Sequence, residues 1–206
     1  MTSTTAIRTG GLALTLGSVT WAVTMLVAGP PVDEVSPTLE ILGGFAYQLG
    51  LAGFLLAAWV TRALGDSRGA RIVLRGEAVL LALASVWSVV YVIDPSTMDS
   101  LTMAVLDVTW PLSMLGLVPV GVYILRAGVW TSPARYLPLI ASLWLPLDIM
   151  ATVIGGDSAG LAFRTAWLAV VWGGLGLLIA RGPADADSVA PHAASATARQ
   201  SGGVSA

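Results

Sequence analysis

This chain contains neither cysteine nor lysine. Without cysteine there are no disulfides, no thiolate catalysis and no cysteine metal sites. Without lysine no Schiff base can hold retinal or pyridoxal phosphate, so a set of apolar helices here does not point to a rhodopsin. Charge is scarce as well. Charged side chains make up 11% of the 206 residues, less than half of the roughly 25% usual in soluble domains. With 56% hydrophobic residues and a mean hydropathy of +0.83, the chain has too little polar surface for water, and lipid is its natural solvent. The single histidine, His192, stands in a polar tail and reads as solvated; no metal and no cofactor is expected.

What the chain has instead is apolar sequence of membrane length. A bilayer core about 30 Å thick needs roughly 20 apolar helical residues. Six stretches qualify: 10–29, 41–63, 72–93, 101–127, 136–155 and 161–180. The links between them are short and carry turn formers, among them Gly65, Pro95, Pro133 and the Gly155–Gly156 pair, so successive helices should run antiparallel. The first stretch is too long for the 7–15-residue apolar core of a signal peptide and reads as a retained helix. These features predict an all-α, polytopic membrane bundle of six transmembrane helices. Residues 1–9 form an N-terminal segment, 10–181 the transmembrane domain, and 182–206 a disordered Ala-, Ser- and Gly-rich tail.

Charge sets the expected orientation. Arg8, Arg62, Arg68, Arg71, Arg75, Arg126, Arg135 and Arg181 fall at one set of helix ends. Asp33, Glu34, Glu40, Asp94, Asp99 and Asp157 fall at the other, with only Arg164 among them. Arginine concentrates on cytoplasmic loops, which gives an N-in/C-in, multi-pass protein of the plasma membrane.

Ionisable groups inside the hydrocarbon are costly, so they mark where function should be sought. Asp107 and Asp148 each lie about 9–11 Å below the acidic ends of the fourth and fifth helices, by the 1.5 Å rise per residue. Because these helices run oppositely, the two aspartates come to one level. Trp110 and Trp144 share their helical faces. Trp21, Tyr47, Gln48, Trp87 and Trp167 fall in the same slab, with Arg164 one turn above Trp167, and together they outline a candidate pocket. A belt of interfacial aromatics, with Arg164 clamping an aspartate, explains the same residues without a function. Pro111, Pro138 and Pro146 are expected to kink helices four and five beside the aspartates. Glu77 lies near the basic end, close to Arg71 and Arg75, and reads as a surface ion pair.

The segments LDVTWPLSMLG (106–116), RYLPL (135–139) and LWLP (143–146) resemble a pattern in small six-helix actinobacterial membrane proteins. The size and all-helical plan are also similar to the small integral-membrane terpene cyclases of bacterial meroterpenoid pathways. That resemblance implies proton-initiated cyclisation of a prenyl chain, with Asp107 or Asp148 as the proton donor. The chemistry is coherent with the residues. A carboxyl group kept neutral by burial is a competent general acid, and each indole face steadies a carbocation by roughly 0.5–2 kcal/mol. The alternative is a small proton-coupled transporter or exporter of a cationic or lipophilic molecule, in which six spans would call for a homo-oligomer. A non-catalytic membrane subunit is a third reading, disfavoured by the short loops. All of them imply a lipid-soluble ligand and membrane lipids as partners, and none implies nucleic acid.

Overall fold

A computed structural model describes residues 3–29, 37–131 and 133–182. Asp33, Glu34, Ser132 and the tail from 183 onward, with His192, lie outside the described residues. Those described form helices joined by turns: α1 (Ser3–Ala28), α2 (Pro37–Val60), α3 (Arg68–Ile93), α4 (Leu101–Ala127), α5 (Leu137–Ser142), α6 (Trp144–Trp167) and α7 (Gly173–Arg181). A single π-helical stretch, Leu168–Trp172, joins α6 to α7. Five helical runs are long and apolar enough to cross a membrane, the last being the continuous Trp144–Arg181. Apolar side chains cover their outer faces too: Leu16, Val27, Ile72, Val153, Ile154 and Val170 are all exposed. Helices apolar on every side suit a lipid surround.

The fifth run folds back on itself. Gly156 has φ 78° and ψ 178°, a backbone region open essentially only to glycine. Arg164 Nε lies 3.1 Å from Asp148 Oδ1, and Trp167 Nε1 donates to the Ala141 carbonyl at 3.2 Å. Along a straight helix those partners would stand about 24 and 39 Å apart. The two arms are therefore antiparallel neighbours, and the expected turn at Gly155–Gly156 is where the chain reverses.

Some boundaries differ from the sequence expectation. α1 begins at Ser3, so most of the segment 1–9 is helical. The expected fifth span is interrupted at Leu143, whose N–H bonds back to Ile140 and Ala141. Pro138 and Pro146 fall in the first turns of α5 and α6, where the N–H they lack has no helical partner anyway. They start helices there and kink none. Pro111 and Pro119 do sit inside α4.

Helix ends are capped where the apolar sequence stops. Ser67 Oγ accepts from the Ala70 N–H at 3.1 Å, and Ser100 Oγ from the Met103 N–H at 3.3 Å. Gly128, left-handed at φ 63°, ends α4, as glycine commonly does.

Contacts run from α1 to α2, α2 to α3, α3 to α4 and α4 to α5, and the last arm returns to α1. The helices thus form a closed ring. Glycines let α1 approach both neighbours backbone to backbone. A Cβ on Gly53 would stand 2.8 Å from the Gly10 carbonyl oxygen, and one on Gly11 2.5 Å from that of Gly176. Thr15 Oγ1 also donates to the Gly173 carbonyl at 3.0 Å. Rings fill the middle. Trp172 packs edge-on against Tyr47 and Phe54 at 5.8 and 6.1 Å, and Trp130 against Phe54 at 6.1 Å.

Candidate functional site

The slab outlined by the sequence is assembled around Trp21. Its ring stacks on Tyr47 at 5.0 Å and meets Trp110 and Trp144 edge-on at 5.6 and 5.8 Å. Four helices contribute one ring each, and Trp144 Nε1 reaches Met114 Sδ at 3.3 Å. Such contacts are each worth about 0.5–1.5 kcal/mol beyond burial. The cluster occupies the space expected to be a hollow, because rings placed one turn below each aspartate converge there.

Open volume lies beside the cluster. A cleft of about 200 Å³ between α2, α3 and α4 is lined by Trp21, Gln48, Trp87, Ser88, Asp107 and Trp110, with Glu40 at its rim. Gln48 Nε2 donates to Ser88 Oγ at 3.0 Å across the cleft floor. Trp87 packs against Tyr91 at 5.4 Å. Asp107 is exposed and makes no hydrogen bond or ion pair among the described residues.

Asp148 has a different setting. It is 8% exposed and its Oδ1 takes the Arg164 guanidinium between the arms of the hairpin. Trp167 lies on that side too, bonded to Ala141 and packed against Phe163 at 5.2 Å. No hydrogen bond or ion pair links the two aspartates, and Asp148 is not among the residues that line the Asp107 cleft. Equal depth does not fix the direction in which a side chain leaves its helix, and this is why one shared centre did not follow.

Glu77 overturns the surface ion-pair reading. It is 2% exposed, its Oε1 accepts from Ser113 Oγ at 2.6 Å, and its Oε2 is buried with no partner among the described residues. The carboxylate lies against Gly116, where a Cβ would collide with Oε2. The Tyr47 hydroxyl is likewise buried and without a partner among the described residues. The sequence did contain the signal. Arg68, Arg71 and Arg75 follow at i, i+3 and i+7 on one face of α3, whereas Glu77 is two residues, about 200° of helical turn, from Arg75. It must point the opposite way, into the bundle.

Comparison with protein-family models, with curated proteins and with solved structures found no match. The arrangement itself must carry the functional reading. It offers an unpartnered carboxyl at the mouth of a tryptophan-walled side cleft, and a second carboxyl sealed in the core.

Proposed function

We propose that this is a multi-pass plasma-membrane protein with both ends cytoplasmic, and that it acts on a lipid-soluble molecule entering sideways between α2, α3 and α4. Orientation is supported by the arginines clustered at one set of helix ends. The ligand class is supported by one observation above all: Asp107 stands free at the opening of a cleft walled by Trp21, Trp87 and Trp110. A free carboxyl facing indole rings suits cofactor-independent, proton-initiated cyclisation of a prenyl chain. Asp107 would pass its proton to an alkene carbon, leaving a carboxylate and a carbocation. The π pair of a neighbouring alkene would close the ring by forming a carbon–carbon bond. Return of a proton to Asp107 would then release an isomer of the substrate. Indole faces would steady the passing cation. In this reading Asp148 is support, because its oxygen is already committed to Arg164.

The test is turnover of farnesylated and geranylgeranylated aromatic substrates by the purified protein, with products identified by mass. Cyclic isomers from wild type and none from Asp107→Asn support the proposal. Equal turnover by Asp107→Asn, or no cyclic product from wild type, ends it.

A second reading, proton-coupled transport, is favoured by Glu77. Acidic and polar side chains then stand both at the side cleft, in Asp107, Gln48 and Ser88, and in the core, in Ser113 and Glu77. Uptake into proteoliposomes that collapses with the pH gradient and with Glu77→Gln would favour it over cyclisation.

A further inference from the structure

A groove follows the seam between α2 and α3. Its middle, about 300 Å³, is walled by Leu49, Ala52, Leu56, Ala78 and Ala82. Leu49 and Leu56 are about half exposed, at 55% and 47%, so the trough opens sideways toward lipid. At the start of α3 it runs into a basin of about 360 Å³ that holds Arg62, Asp66, Arg71 and Arg75. Trp59, Leu74 and Arg75 line both spaces, which makes them continuous. From Gln48 to Trp59 the trough follows about 16 Å of helix.

The charges in the basin do not balance one another. Arg68, Arg71 and Arg75 share one face of the first two turns of α3. There the helix dipole already presents its positive end, and like charges three and four residues apart repel. The acid in the basin, Asp66, is bonded to Arg62 at 3.3 Å. Arg68 and Arg71 have no ion-pair partner among the described residues, and Arg75 lies over the Trp59 ring at 5.8 Å. Glu77 faces the core and is engaged by Ser113. Arg62 itself is held at φ 52°, the one non-glycine residue with positive φ among those described. Two cations without an acidic partner, Arg71 and Arg75, line a basin that opens directly into a greasy trough, and they match a molecule with an anionic head and an apolar tail. An inorganic anion would use the basin and leave the trough without a role.

We infer that the α2–α3 groove binds a membrane lipid with an anionic phosphate headgroup, the phosphate against Arg71 and Arg75 and one chain along the trough past Ala52 and Ala82. This site shares only Gln48 with the Asp107 cleft and does not depend on the function proposed for it.

The experiment is native mass spectrometry of the delipidated full chain, offered phosphatidylglycerol or the phosphate-free diacylglycerol with identical chains. Wild type should retain phosphatidylglycerol about tenfold better, the ratio expected for one charge-assisted contact pair. Arg71→Gln with Arg75→Gln should erase the preference while leaving diacylglycerol retention unchanged, which also reports that the variant is folded. Ala52→Trp, at an exposed position, should lower retention of both lipids. Equal retention of the two lipids by wild type, or an intact preference in the double arginine variant, overturns the inference. So does displacement by inorganic phosphate combined with indifference to Ala52→Trp, which would mark a free-anion site.

Discussion

Arg164 Nε meets Asp148 Oδ1 at 3.1 Å across a hairpin whose turn is a single glycine. The arginine lies on the arm after the turn and the aspartate on the arm before it, so the pair sets how the two arms lie against each other. Removing one partner strands the other in a mostly apolar setting. Asp148→Asn and Arg164→Gln should each lower stability by about 1–3 kcal/mol, below the 3–5 kcal/mol of a fully buried pair because Arg164 keeps some exposure. Asp148→Leu with Arg164→Leu should recover most of the loss. Thermal unfolding in detergent reads all three beside wild type, and a double variant less stable than either single would refute the clamp.

Gly156 should tolerate no side chain. At φ 78° and ψ 178°, an alanine is strained by about 1–3 kcal/mol. Gly174→Ala, on the same run with nothing within 4 Å of the added carbon, is the matched control and should melt close to wild type. Equal melting of the two variants would mean that the turn is not built on Gly156.

Ser113→Ala removes the hydroxyl that donates to Glu77 Oε1 and leaves both carboxylate oxygens unsatisfied. A loss of about 1–2 kcal/mol is expected. Gly116→Ala should cost more, since its methyl group would occupy the position of Oε2. Unfolding of both variants beside wild type gives the order, and Ser113→Ala matching wild type would show that Glu77 is satisfied by other means.

The α1–α2 seam yields a contrast within one residue type. Gly53→Ala would push a methyl group to 2.8 Å from the Gly10 carbonyl oxygen and should destabilise the bundle. Gly76→Ala, with open space around it, should be neutral or gain up to about 1 kcal/mol from helix propensity. Paired melting curves decide it, and a harmless Gly53→Ala would disprove close packing there.

Much of this architecture was legible in the residues. Apolar length gave the membrane helices, and the Gly155–Gly156 pair gave the reversal, because each is a local property of the chain. Trp21, Gln48, Trp87 and Trp110 were gathered by depth alone, and they do come together. Arg164 does clamp an aspartate, Asp148, but depth did not say that this pair and Trp167 lie outside the Asp107 cleft, because position along a helix says nothing about which neighbour a side chain faces. Glu77 was misplaced for the complementary reason. Its short distance from Arg71 and Arg75 along the chain suggests a surface pair, while its angle around the helix turns it away from them. The break at Leu143 goes with Pro146, which has no N–H to offer the Ser142 carbonyl one turn back, whereas the π-helical stretch at Leu168–Trp172 has no local signal in the residues.

The seam between α1 and α7 has a consequence for biogenesis. Thr15 and Gly173 are 158 positions apart, so the contact that completes the circle joins an early product of translation to a late one. Until α7 has been made, the glycine edge of α1 has only α2 to meet, and the Thr15 hydroxyl can turn only to its own helix, at the Gly11 carbonyl. The entropic penalty of so wide a closure grows only logarithmically with length. Final stability therefore suffers little from the delay, while the nascent bundle stays open along one side until its last helix arrives.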